Sequence, residues 1–342
     1  RQRLPERSAL LARVAFLADP VHWPERPARV EVRETHASFL FLTDRHVAKL
    51  KKPVRLPGCD LAQPEARRRN AYREVRLNRR FAPAVYLGVR SLARAPGGTL
   101  RIAPLGVAPG TAVDWLVWMQ RLPAHAMLDA HLRRGPLEAA QGTALAAALA
   151  ALLARTPPAM RAPDAYLAGL GAEIAACRAV LAAPAYGLDP ARVTAVLDAL
   201  AHDFESLRTM LGTRAAQGRV RDGHGDLRAE HVCLLPGGPV LFDCLEFNAA
   251  LRARDPVDEL AYLGLECTRL GDAAFAPALL DAWAAQTGDC PPTALVDFYR
   301  RLRAAGHARL TIQHLYELPP AGEAACRARA QDWLAVAAAQ PR

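Results

Sequence analysis

Lysine is nearly absent from this chain of 342 residues: 44 residues are basic, and all but Lys49, Lys51 and Lys52 are arginine. Heavy arginine, alanine and proline usage is a composition habit, so the arginine count says little, whereas three lysines within four positions say more. Long apolar runs are missing as well. The longest candidate, Thr143 to Ala154, falls short of the roughly 20 residues that a membrane span needs, so no membrane partner is expected. The seven cysteines are scattered and include no C-x-x-C pair, which argues against a zinc ribbon and against a disulfide framework. No apolar segment follows the charged N-terminus, so no secretory signal is expected, and a reduced, soluble, cytoplasmic protein is the default. There is no G-x-x-x-x-G-K-[ST] loop, no G-x-G-x-x-G after a strand, no G-x-S-x-G and no H-E-x-x-H, so P-loop NTPases, Rossmann oxidoreductases, α/β-hydrolases and zincins lose support.

A hydrophobic content of 51% with 23% charged residues specifies a folded chain with a substantial core. The formal charge is +10, and its excess lies in residues 1–100, which hold 21 basic and 9 acidic groups against 23 and 25 in the remainder. Residues 4–18 read as an amphipathic helix. Residues 30–54 alternate and are rich in β-formers, with a turn at Thr43-Asp44 and a loop at Pro57-Gly58 to follow. Residues 64–81 form a helix opened by a proline, SLARA-PGG-TLRIA reads as a hairpin, and VDWLVWMQRL reads as a further strand. From about residue 125 to 215 Ala/Leu helices dominate. Two short strands around a Gly-Gly turn come at 232–245, and the chain is helical after 256.

Chemistry concentrates in two places. In DGHGDLRAEH a glycine beside Asp226 presents a carboxylate in a loop just before a strand, and Asp243 sits across the following hairpin, so both are expected at one rim. Two such carboxylates, one a base and one a metal ligand, suit phosphoryl transfer. A turn-forming Gly-Asp and a strand-end Asp account for the same residues equally well. In the N-terminal part, strand alternation puts Lys49 and Lys51 on one face and Lys52 on the other, and Glu74 lies mid-helix 25 residues after Lys49. A strand lysine paired with a helix glutamate clamps nucleotide phosphates in kinases, while an edge-strand charge run is the plainer alternative. The arginines of the 64–81 helix, Arg67–Arg69, Arg73, Arg76, Arg79 and Arg80, form a basic stripe with Tyr72 as its one interleaved aromatic and no known nucleic-acid motif, so nucleic acid is not expected as a partner.

The succession VAKLKKPV, REVRLNRRFAPAVYLGV, WLVWMQRLP, DGHGDLRAEHVCLL and LFDCLEFNAALRARDPVDELAYL resembles the aminoglycoside phosphotransferase-like kinases over about residues 30–315, most closely the bacterial branch of unknown substrate. The resemblance implies an α+β, two-lobed protein-kinase-like fold: a β-rich lobe over 1–118, a hinge at 119–122 and a mainly helical lobe over 123–342. It implies binding of ATP or GTP with Mg²⁺ or Mn²⁺, and transfer of the γ-phosphoryl group to a hydroxyl of a small molecule. Asp226 would be the catalytic base and Asp243 the metal-binding aspartate. Lys49, with Lys51 beside it, would meet phosphates, Glu74 would hold Lys49, and the hinge, with Met119 and Arg121, would meet the base. His224 would brace the catalytic loop and Asp258 would pack under it. Two positions depart from the family pattern. His231 stands where a second metal-binding Asn is usual, which leaves His231 or Glu246 to complete the metal site. The stretch Glu34–Ser38, where a glycine-rich loop would cover phosphates, has no glycine, so Thr35, His36 and Ser38 would supply donors or simply form a turn. These departures keep a second reading open, a nucleotide-binding pseudokinase that regulates a partner. Some members of that branch carry a P-loop kinase domain after this one, so the chain is either the stand-alone form or part of a longer protein. Nothing in the sequence indicates an oligomeric state.

Overall fold

The computed structural model describes residues 4–56, 59–107, 110–315 and 320–339. Pro57 and Gly58 lie outside the described residues. The chain divides into two compact units, Arg1–Met127 with Cys233–Leu235 and Val240–Ala249, and Leu128–Val232 with Pro236–Pro239 and Ala250–Arg342.

The first unit opens with helix α1 (Leu4–Ala18), whose Leu10, Val14 and Leu17 recur at helical spacing and enter the core. Trp23 closes it by donating from Nε1 to the Leu17 carbonyl at 2.8 Å. Strands β1 (Glu31–Glu34), β2 (Ser38–Leu42) and β3 (His46–Lys51) follow as an antiparallel meander. Thr43 closes the second turn by donating its N–H to the His46 carbonyl at 2.9 Å. Strands β4 (Arg55–Leu56) and β5 (Cys59–Asp60) lead to helix α2 (Pro64–Asn78), which starts on a proline because the first helical position has no intrahelical use for its N–H. The hairpin of β6 (Tyr86–Arg94) and β7 (Leu100–Ile102) and then strand β8 (Ala112–Gln120) complete an antiparallel six-stranded sheet in the order β1-β2-β3-β8-β6-β7.

Alternation along β8 feeds two cores. Leu116 and Trp118 join Leu50, Phe41, Leu17 and Trp23 on the α1 side, whereas Trp115, Val117 and Met119 join Ala71, Val75 and Tyr86 on the α2 side. Both faces of β8 are covered, which is why its sequence is a continuous apolar run. Lys49 lies opposite Val117 and Lys51 opposite Ser38, so both lysines project to the face that α2 covers.

The helical part comprises α3 (Leu128–Leu132), α4 (Ala139–Ala154), α5 (Pro163–Leu181) and α6 (Pro190–Ala216). A stretch of short elements follows: β9 (Arg221–Asp222), β10 (Val232–Leu235), β11 (Gly238–Leu241), α7 (Ala249–Arg252) and β12 (Ala253–Arg254). Helices α8 (Pro256–Arg269), α9 (Phe275–Thr287), α10 (Thr293–Gln313) and α11 (Pro320–Ala338) complete the chain. Helix α8 is buried from Pro256 to Cys267, capped by Asp255, whose side chain accepts from the Val257 N–H at 3.1 Å. Asp255 and Asp289 both receive the buried guanidinium of Arg214, at 2.5 and 2.7 Å.

The architecture is α+β, with a β-rich first unit and a mainly helical second, as expected from the sequence. Two later segments group with the first unit and not with the part after 123: Cys233–Leu235 and Val240–Ala249, the latter because Val240 and Phe242 pack on the α2 side of its sheet. No helix among the described residues is long and apolar enough to cross a membrane.

Candidate functional site

On the α2 face of the sheet the structure gathers five of the residues singled out in the sequence. Lys49 Nζ donates to Glu74 Oε1 at 3.0 Å and to Asp243 Oδ1 at 2.7 Å. Lys51 Nζ donates to Glu246 Oε1 at 2.5 Å and is also ion-paired with Glu74 Oε2. Glu74 is completely buried, and it sits on the helix face that also carries Ala71, Val75 and Asn78, which is how one carboxylate reaches two lysines of one strand. Burial opposes the charge on Lys49, but Asp243 and Glu74 outweigh it and hold the ammonium well above its usual pKa range. Burial likewise disfavours the Glu246 carboxylate, and Lys51 and Lys49 override it, so its pKa is lowered. Lys52 points the other way, to Glu34 Oε1 at 2.5 Å.

Asp243 lies two residues beyond the end of β11, not within the strand, and its backbone adopts φ of +61°. Outside glycine this left-handed region is uncommon and persists only where the surroundings enforce it. Here two side chains do so. The Asp243 N–H donates to the Tyr86 hydroxyl at 3.0 Å, and the Cys244 N–H donates to Asn78 Oδ1 at 2.9 Å. Asn78 is in turn anchored by donating to the Glu74 carbonyl at 3.1 Å. Sequence reasoning missed Tyr86 and Asn78; their signal was a polar atom at each of two positions that helix and strand periodicity assign to the core.

The remaining positions predicted for nucleotide contact are occupied locally. Thr35 closes the turn between β1 and β2: its Oγ1 accepts from the Ser38 N–H at 3.0 Å, and its own N–H donates to the Ser38 carbonyl at 2.9 Å. Ser38 is buried and His36 is exposed at the tip. Met119 packs among Ala71, Val75 and Tyr86. Arg121 donates to the Thr43 carbonyl at 2.6 Å. Within the arginine stripe, Arg67 is buried and grips Asp114 through two bonds of 2.9 Å, while Arg79 donates to the Tyr86 carbonyl at 2.8 Å. Both serve the fold of this unit rather than a basic surface.

In the second unit, Asp226 occupies a loop shaped by a buried acidic-basic set. Glu259 Oε1 accepts from the Gly225 N–H at 2.5 Å, and a side chain at Gly223 would crowd the Glu259 carboxylate, which would have to shift. Gly225 itself has φ of +86°. Arg303 donates to the Gly225 carbonyl at 3.0 Å and to both oxygens of buried Asp258, at 2.6 and 2.9 Å. Burial raises the Glu259 carboxyl to a pKa of about 7. His231 Nδ1 lies 2.7 Å from the Asp226 carbonyl oxygen and 3.8 Å from its carboxylate, so Nδ1 carries a proton and donates to that carbonyl. His224 is fully buried, its ring 5.7 Å from that of His231. The described residues contain no group of three or more His, Cys, Asp or Glu side chains placed to hold a metal ion. Asp243 is nonetheless suited to Mg²⁺, which binds through one or two carboxylates plus substrate phosphates: Lys49 takes its Oδ1, and its side chain is 44% exposed.

Comparisons with known proteins bear on this arrangement. The GDP complex of aminoglycoside 2'-phosphotransferase-IIIa matches with a TM-score of 0.56 at 14% identity, covering 95% of this chain and 98% of that one. A choline/ethanolamine kinase family protein of Mesorhizobium loti matches at 0.52 and 15% identity, covering 96% and 99%. The fold is that of the aminoglycoside phosphotransferase-like kinases. Choline kinase from Cryptosporidium parvum shares this kinase-like fold at a TM-score of 0.50 and 9% identity, covering 96% of this chain and 95% of that one. By sequence, an uncharacterized protein of Mycobacterium tuberculosis is 32% identical over 290 residues, 82% of this chain and 54% of the relative. A Mycobacterium bovis protein matches to the same extent. The chain thus spans about half the length of the curated relatives it matches. No protein-family model matches it.

Proposed function

We propose that the chain is an ATP-dependent phosphotransferase acting on a hydroxyl of a small molecule. The observation that carries the reading is the Lys49–Glu74–Asp243 chain of ion pairs, with Asp243 held in a strained backbone conformation by Tyr86 and Asn78. A cation fixed by one buried carboxylate and facing a second, half-exposed one suits phosphate oxygens and their counter-ion. The kinase-like fold and the GDP complex among its structural neighbours support a nucleotide ligand.

In this reading Lys49 neutralises phosphate oxygens and Glu74 orients it. Asp243 would hold Mg²⁺, which supplies charge neutralisation on the phosphates when bound. Glu246, engaged by Lys51, tunes the lysine pair instead of ligating. His231 fixes the Asp226 loop through its Nδ1 bond. Asp226 accepts the proton of the acceptor hydroxyl. The acceptor oxygen bonds to the γ-phosphorus, the bond from that phosphorus to the β–γ bridging oxygen breaks, and its electron pair leaves on the nucleoside diphosphate. Incubating purified protein with Mg²⁺-ATP and a panel of hydroxyl compounds tests this. Transfer is expected and should fall by at least ~10²-fold in Asp226→Asn; undiminished transfer by that variant would overturn the mechanism.

A further inference from the structure

The second unit contains a cavity of about 270 Å³, near the lower end for ligand sites and sized for a small metabolite. It adjoins the proposed base: Arg228 and Glu230, two and four residues after Asp226, line it, and the charge of Asp226 is felt at His307 in its wall. Its far wall comes from α8, α10 and α11, through Arg269, His307, Arg329 and Trp333.

The charges of this cavity are unevenly paired. Asp129 neutralises Arg133 at 2.7 Å. Glu266 takes Arg228 at 3.1 Å and also accepts the Ala229 N–H at 2.9 Å, and Glu230 is ion-paired with the same Arg228. Arg269 and Arg329 have no carboxylate in ion-pair range among the described residues. Arg269 lies 3.7 Å from the centroid of the Trp333 ring, which is almost fully buried. Arg329 is four residues before Trp333 on α11, so it stands on the same helix face. His307 adds no charge: burial, with Arg228 and Arg269 nearby, lowers its pKa to about 4, and its Nδ1 is 2.8 Å from the Tyr262 hydroxyl.

We propose that this cavity is the acceptor site and that the acceptor carries an anionic group, a carboxylate or phosphate, gripped by Arg269, which Trp333 holds in place, and by Arg329. This rests on the phosphotransfer reading and extends it to the substrate class. Two guanidiniums without carboxylate partners among the described residues give planar, bidentate recognition of such groups. The same two cations repel a polycationic or quaternary-ammonium acceptor.

The test is calorimetric binding to the whole chain without nucleotide. The anionic probes are glycerate, glycerol 3-phosphate and 4-hydroxyphenylacetate, compared with uncharged glycerol and cationic choline. At least one anion is expected to bind, and its Kd should rise at least tenfold in the double variant Arg269→Gln, Arg329→Gln. Arg178→Gln, whose ion-pair partner Asp198 lies outside the cavity, should leave it unchanged. Arg329→Gln alone removes no hydrogen bond or ion pair among the described residues and should weaken binding severalfold, so the result does not depend on the double variant folding. The proposal is overturned if no anion binds, if glycerol or choline binds more tightly than every anion, or if the double variant binds the anion as wild type does. Transfer from Mg²⁺-ATP to the bound compound is then read separately. Arginine-dependent anion binding with no transfer to any compound overturns the phosphotransfer reading and with it the acceptor role. Phosphorylation confined to glycerol or choline overturns only the anionic acceptor.

Discussion

Lys51→Met and Lys52→Met should behave very differently, although the two lysines are adjacent. Lys51 has 2% of its side chain exposed and lies between Glu74, fully buried, and Glu246, 9% exposed. Methionine fills the space but leaves Glu246 with Lys49 as its remaining nearby lysine, which Glu74 and Asp243 already engage. Breaking a buried pair on one side costs about 3–5 kcal/mol, because the remaining charge stays desolvated. With Lys49 still near, the lower figure is expected, about 3 kcal/mol, or a Tm lowered by roughly 4 °C for a chain of this length. Lys52 pairs with Glu34, whose side chain is 62% exposed, so its loss should cost under about 1 kcal/mol. Adding Glu246→Leu to Lys51→Met should recover part of the loss, since the stranded carboxylate is then gone. Thermal and urea unfolding of wild type, the two lysine variants, Glu246→Leu and the Lys51→Met/Glu246→Leu double variant provides the assay. Equal costs for the two lysines, or full additivity of Lys51→Met and Glu246→Leu, would refute the ion-pair account.

Glu259 sets a pH dependence. Its folded pKa of about 7 exceeds the ordinary 4.5, so its contribution to stability is present below pH 4.5 and is lost as pH rises through about 7, by up to about 3 kcal/mol. Glu259→Gln, whose amide oxygen still accepts from Gly225, should flatten unfolding free energy between pH 5 and 8 relative to wild type. Asp243→Gly and Asp243→Ala should both lower phosphoryl transfer by at least ~10²-fold, but the alanine variant should be less stable by about 1–2 kcal/mol because it alone carries a side chain at positive φ. Tyr86→Phe strands the Asp243 N–H and should cost about 1–3 kcal/mol together with a rise in KM for ATP, checked by denaturation and steady-state kinetics.

Periodicity made much of the fold legible. Alternation in VAKLKK put Lys49 and Lys51 on one face, and the helix spacing of Ala71, Glu74 and Val75 put a carboxylate on a buried stripe; both are local properties with periods of 2 and 3.6. The Gly-Gly hairpins and proline-opened helices were equally local. The bonds of Asn78 and Tyr86 to the backbone of 243–244 were not, because they span 166 and 157 residues and no short-range pattern encodes them. Arg67 shows the converse: among the arginines of α2 it looked like surface charge, and only the burial of Asp114 on β8 turned it inward.

By itself, then, the sequence determined the elements, the faces they present and the two loops that carry Asp226 and Asp243. Tertiary structure decided what those carboxylates meet. It turned Lys51 into a buried partner of Glu246, folded Asp243 into a left-handed turn, and left Arg269 and Arg329 without an ion-pair partner among the described residues near Trp333. The physical reason is that a charge's role depends on its solvation and its nearest opposite charge, and both are set by chain segments distant in sequence.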